Sequence, residues 1–123
     1  MRVLNRIRRR HGLRSLRFSR RLTFAAGVHS FDLSRTGMIS HSGSDGSTVR
    51  GRVDRVTSAR VIGETIIAAP SGARLGPRTV VRAWLHSAPH RRELLSPRFR
   101  RVGIARARGP RAIVITADFA SAR

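Results

Sequence analysis

The last quarter of the chain limits what the rest can be. Arg101 to Arg106 and Ala112 to Phe119 are two strand-like runs, joined through Arg108-Gly109-Pro110, which has the chemistry of a hairpin turn. Ile113, Ile115 and Ala117 alternate onto one face, where Val102 and Ile104 can meet them. A lone two-stranded hairpin is marginal in water, so other elements must pack on this one. The residues before it supply helices and one further extended run, an order that points to an α+β layered domain.

Residues 2–11 read as an amphipathic helix with an apolar stripe of Val3, Leu4 and Ile7, the arginines covering the remainder. Gly12 fits the left-handed position after a helix end. No cap precedes the pattern, so the expectation is a first helix cut at its N-terminus. Leu13, Leu16 and Phe18 are expected to face inward from a connector. Ser19 suits the N-cap of a second helix over about 20–36, with Leu22, Ala25, Ala26, His29 and Leu33 on its buried side and Gly37 at its end. The stretch from Met38 to Thr48 is Gly/Ser/Asp loop chemistry. A third helix follows, about 49–58, turning Val49, Val53 and Val56 inward. Ile62 to Ala69 is a short extended segment, and Pro70 to Gly76 a loop. Gly76-Pro77 opens a fourth helix carrying Val80, Val81, Trp84 and Leu85 on one face. Ser87-Ala88-Pro89 should end it, leaving His90 on a connector before a short helical turn, Arg91 to Leu95.

A chain of 123 residues makes one domain, here 1–123, and neither a repeat nor a second domain is visible. Cysteine is absent, which excludes disulfides and cysteine-based metal sites. No apolar run is long enough to span a bilayer, and no signal-peptide stretch follows the basic N-terminus. The net charge is +20, carried by arginine with no lysine, which favours an anionic polymer, lipid or nucleic acid as partner. The arginines are spread along the chain without the interleaved aromatics of a base-stacking surface. Any such contact is therefore expected to be electrostatic and not specific for nucleic-acid sequence.

Six residues stand out. Trp84, the only tryptophan, should anchor the core near Val80, Leu85 and the second helix. His29 lies on an apolar stripe and reads as a structural core histidine, with Asp32 three residues on as a partner for an arginine. His41 sits in the polar loop. Glu64 is a carboxylate among Val61, Ile62, Ile66 and Ile67, and it needs a partner if buried. His90 follows the Trp84 helix. A Ser87–His90–Glu64 triad can be drawn on paper, but no nucleophile elbow surrounds Ser87.

The order of these pieces resembles the bacterial branch of the CAP superfamily: cysteine-rich secretory proteins, antigen five and the plant pathogenesis-related-one proteins. The resemblance runs through Leu4-Asn5-Arg6 to His11-Gly12-Leu13, Leu22 to Leu33, Ile39-Ser40-His41-Ser42 with Asp45-Gly46-Ser47, and Gly63-Glu64-Thr65-Ile66. It continues in Trp84-Leu85-His86-Ser87-Ala88-Pro89-His90-Arg91, Val102-Gly103-Ile104 and Ala117-Asp118-Phe119. It implies an α-β-α sandwich, with a small antiparallel sheet between helical layers, and a cleft lined by His41, Glu64 and His90. In many members such residues hold a divalent cation, zinc or another; here the binding is expected to be weak. Thr65 stands where the family has Asn, and Ala88-Pro89 where it has Pro-Gly. No second cleft carboxylate is matched near Ser87.

The family is mostly secreted, and no single enzymatic activity defines it; its members are linked to sterol or lipid binding, signalling and defence. The resemblance therefore implies a non-catalytic extracellular or cell-envelope domain whose cleft takes a small ligand or cation. Two alternatives stand beside it. One is a metal-dependent hydrolase using the same cleft, with Glu93 as the only nearby candidate base. The other is a basic domain that binds nucleic acid without sequence preference.

Overall fold

The computed structural model describes residues 1–123. Its elements run α1 (Arg2–Arg10), β1 (Arg17–Phe18), α2 (Arg20–Thr36), α3 (Val49–Asp54), β2 (Ile62–Ala69), α4 (Pro77–Leu85), α5 (Ala88–Leu94), β3 (Arg101–Arg108) and β4 (Ile113–Ala120). The strands form one sheet in the order β1-β3-β4-β2. The hairpin pairs antiparallel, with Val102 opposite Phe119 and Ile104 opposite Ala117, and β2 adds antiparallel to β4. The short β1 pairs parallel with β3, so the sheet is mixed and not purely antiparallel. Two residues between a connector and a helix cap are too few to carry a strand pattern.

Alternation along β4 divides the molecule into layers. Ile115, Ala117 and Phe119 face α1, α4 and α5, where they join Leu4, Val80, Val81, Trp84, Leu94 and Phe99 in the main core. Val114 and Ala120 face the other way, toward α2 and α3, and pack with Leu33, Ile66, Leu22 and Val53. The result is the α-β-α sandwich.

Local chemistry sets the element ends. The Ser19 hydroxyl accepts from the Leu22 amide, and Gly37 closes α2 in the left-handed region at φ 73°. Thr48 caps α3 through the Gly51 amide. Close approach of α2 to the sheet depends on Gly103, where a Cβ would overlap the backbone of Leu22 and Thr23.

Four expectations need correction. Phe18 is exposed, because β1 turns it away from the core. Arg8 is fully buried: Nη1 donates to the carbonyls of Leu94 and Ser96, and Nε to that of Arg14, tying α1 to the end of α5. Trp84 packs on the face of the sheet opposite α2, with Leu4, Phe99 and Phe119, and not against the second helix. Pro89 does not keep its neighbours out of a helix. It lies in the first turn of α5, where its missing N–H costs nothing, so His90 is helical.

Trp84→Ala should lower unfolding stability by about 3–5 kcal/mol, the range for large buried aromatics. Phe24→Ala, at an exposed position on α2, should stay within about 0.5 kcal/mol. Urea midpoints of the two variants check both values.

Candidate functional site

The site is organised by a carboxylate that faces the α2 layer from the edge strand. Glu64 on β2 lies in register opposite Asp118 on β4, and both are buried. From α3, Arg52 Nη2 donates to Glu64 Oε2 at 3.0 Å and to the His41 carbonyl. His41 Nδ1 donates to Glu64 Oε1 at 2.8 Å, from a side chain that is otherwise 58% exposed. His29 on α2 brings Nε2 to 3.8 Å from the same oxygen but donates it to the Ser40 carbonyl at 2.7 Å. A carbonyl only accepts, so His29 carries its proton on Nε2. Burial holds its pKa below the usual imidazole range, and Arg52's charge works in the same direction. It is a neutral residue that pins the loop leading into His41.

The two carboxyls divide the ionisation between them. Burial alone raises Glu64, but hydrogen bonds from Asp118 and His41, with the charge of Arg52, take it below the ordinary carboxylate range. Asp118 goes the other way. Burial, then the hydrogen bond and charge of Glu64, push it up to about 9. No N–H or O–H donor is aimed at either Asp118 oxygen. As a neutral acid it becomes the donor and Glu64 the acceptor, which makes sense of an otherwise unpartnered buried group.

On the other face of β2, Gly63 leaves room for Glu93 of α5: a Cβ there would overlap the Glu93 carboxyl and the Phe99 ring. Burial raises the Glu93 pKa, partly offset by the charges of Arg92 and His41. His90, one turn earlier on α5, is half-buried, and its pKa is lowered by burial and then by His41. His41 thus acts electrostatically on both α5 residues across the open edge of β2.

His41 and Glu64 are in direct contact, while His90 stands outside their hydrogen-bonded group. No three His, Asp or Glu groups form a set that could hold a metal ion. The donor chemistry agrees, because both Glu64 oxygens are engaged and Arg52 already stands as the cation that a metal would provide. The residues present therefore do not fit the cation set that the family resemblance implies. Nor is there a triad, since Glu64 is bound to Arg52 and His41 on the far side of the strand from α5. Asp32 accepts from the backbone and hydroxyl of Ser44 and pairs with no arginine; it braces the loop that carries His41. Sequence reasoning missed Arg52 and Asp118 as parts of the site. The one visible signal for Asp118 was an acid inside a largely apolar strand run.

The chain belongs to the cysteine-rich secretory protein family, or CAP family, whose model matches residues 1–119. Among solved structures it is similar to an extracellular protein of Bacillus anthracis containing an SCP domain, with 26% identity and a TM-score of 0.86 over 98% of this chain and 38% of that one. An outer surface protein of Borrelia burgdorferi shares the fold at 21% identity, with a TM-score of 0.86 over 98% of this chain and 88% of that one. So does a cysteine-rich secretory protein of Staphylococcus aureus, at 19% identity and a TM-score of 0.75 over 98% of this chain and 36% of that one. The chain spans little more than a third of the Bacillus and Staphylococcus proteins. A search of curated proteins finds no significant match.

Two outcomes are expected. Arg52→Met leaves the Glu64 charge buried without its fixed cation and should cost about 3–5 kcal/mol in chemical denaturation. Folded Asp118 keeps its proton up to about pH 9, whereas an ordinary aspartate loses it near 3.8. Between those values folding takes up a proton, so this group makes the parent less stable as pH rises. Asp118→Asn has no such proton, and its stability relative to the parent should increase from about pH 5 to about pH 8. Glu64, with its depressed pKa, contributes stability above its ordinary range and loses it only at lower pH, outside that window.

Proposed function

We propose that this chain is a non-catalytic CAP-type domain that works outside the cell and holds a small ligand in the cleft over the β2 edge. The observation that carries the reading is the state of Glu64. Its oxygens are engaged by Arg52 and His41, which leaves Glu64 itself no free oxygen to serve as nucleophile, general base or metal ligand. What faces the cleft is suited to recognition: two imidazoles that donate and accept, and the Glu93 carboxyl, which burial shifts toward its protonated, donating form.

An extracellular setting is supported by family membership and by the similar proteins of Bacillus and Borrelia, which are respectively extracellular and on the outer surface. No helix is long and apolar enough to cross a membrane. The charge of +20 adds a general attraction to anionic polymers that should weaken with salt. The hydrolase alternative needs an open metal position, and the Arg52–Glu64 pair disfavours one at Glu64.

A soluble sterol sulfate, from the lipid class that the family resemblance suggests, should shift the ring resonances of His41 and His90 together in an NMR titration. Excess zinc should leave the thermal midpoint unchanged in the parent and in His41→Ala. A zinc-induced rise that His41→Ala abolishes would replace this reading with the cation-binding one. Hydrolysis of a p-nitrophenyl ester that disappears in His90→Ala would establish an enzyme instead.

A further inference from the structure

We propose that the groove between α1 and α4, remote from the cleft, is a binding site for ligands carrying two or more phosphate groups. The two helices present matching ladders. On α1, Val3 and Ile7 lie beside Arg6 and Arg10; on α4, Val81 and Leu85 lie beside Arg78 and Arg82. The four apolar side chains and the four arginines line one cavity of about 400 Å³, which His86 and, from α5, Arg91 complete. No Asp or Glu lines this cavity.

Both arginine ion pairs of the molecule, Arg50–Asp54 and Arg52–Glu64, lie elsewhere. Of the five groove guanidiniums, only Arg91 has a protein partner, at 3.5 Å from His11 Nε2. Elsewhere the chain spends its arginines internally: Arg8, Arg52 and Arg101 all hold backbone carbonyls. Gathering five cations among apolar side chains raises their mutual repulsion, because field lines are screened less in such a groove than on an open surface. An anion relieves that repulsion.

The geometry selects phosphate. Along each helix the arginines are four residues apart, a rise of about 6 Å. A carboxylate satisfies one guanidinium fork, whereas a phosphate has enough oxygens to be shared by forks from both helices. Two arginines on each helix offer forks enough for two phosphates. The same chemistry is found in free phosphorylated compounds and in lipid headgroups.

The test is calorimetric titration of the whole chain with inorganic tripolyphosphate. Arg6→Gln with Arg82→Gln should weaken binding at least about tenfold, since hydrogen bonds to charged groups are the strong ones. Arg98→Gln with Arg123→Gln removes equal charge from a different basic hollow and should change affinity less than about twofold. Thermal midpoints of both variants should match the parent, because all four side chains are exposed. Equal losses in the two variants, or no binding by the parent, would overturn the site. Vesicles containing cardiolipin, whose headgroup carries two phosphates, supply the second arm. Vesicle binding that tripolyphosphate displaces identifies headgroups as a source, and its absence beside tripolyphosphate binding identifies free phosphates. Vesicle binding that neither tripolyphosphate nor the groove variant reduces would also overturn the proposal.

Discussion

An ionised carboxylate inside an edge strand has to be held, and the Arg52–Glu64 pair holds this one. The pair joins α3 to β2 at 3.0 Å, and the same guanidinium nitrogen reaches the His41 carbonyl. The loop from Ser40 to Ser47, which has almost no apolar side chain to bury, is therefore fixed by polar contacts alone. Arg52, His29 and Asp32 each take hold of it at a different place. Asp118 completes the arrangement by staying neutral, so one negative charge and not two faces the single guanidinium. Loss of one member of such a network costs more than the bond it made, because the partner is left buried and unpaired.

The same economy of acids shapes the rest of the molecule. There are 26 arginines against six acidic residues, so most arginines cannot form ion pairs. Several satisfy backbone carbonyls instead. Arg8 is the extreme case, buried where α1, the connector after it and the end of α5 meet. Burial holds its pKa below the usual guanidinium range, with Arg100 adding to the effect, yet the group remains a cation whose donors replace missing helix-end partners. Arginines without such work accumulate on the surface and give the groove between α1 and α4 its character.

Local patterns foretold most of the elements. The Ser19 cap, the Gly37 end, the apolar face of α4 and the closing hairpin were all legible, because each depends on side chains within a few residues of one another. The family resemblance added the layer order and the positions of His41, Glu64 and His90. What stayed hidden depended on register and distance. Asp118 meets Glu64 only because β2 and β4 pair in one particular register. Arg52 looked like any of its many equivalents until α3 was set beside β2.

The sequence by itself determined an α+β layered domain of the CAP kind, a buried Trp84 helix, and a Glu64 that could not stay alone among isoleucines. Periodicity, capping chemistry and the cost of desolvating a charge are local properties, so they are written in the order of residues. The tertiary structure decided which partner Glu64 took, which of two carboxyls kept its proton, on which side of the sheet Trp84 lies, and that the helix carrying His90 packs on the face of the sheet opposite Glu64. Those outcomes turn on distances of a few ångströms between segments dozens of residues apart, and only the packed sheet sets such distances.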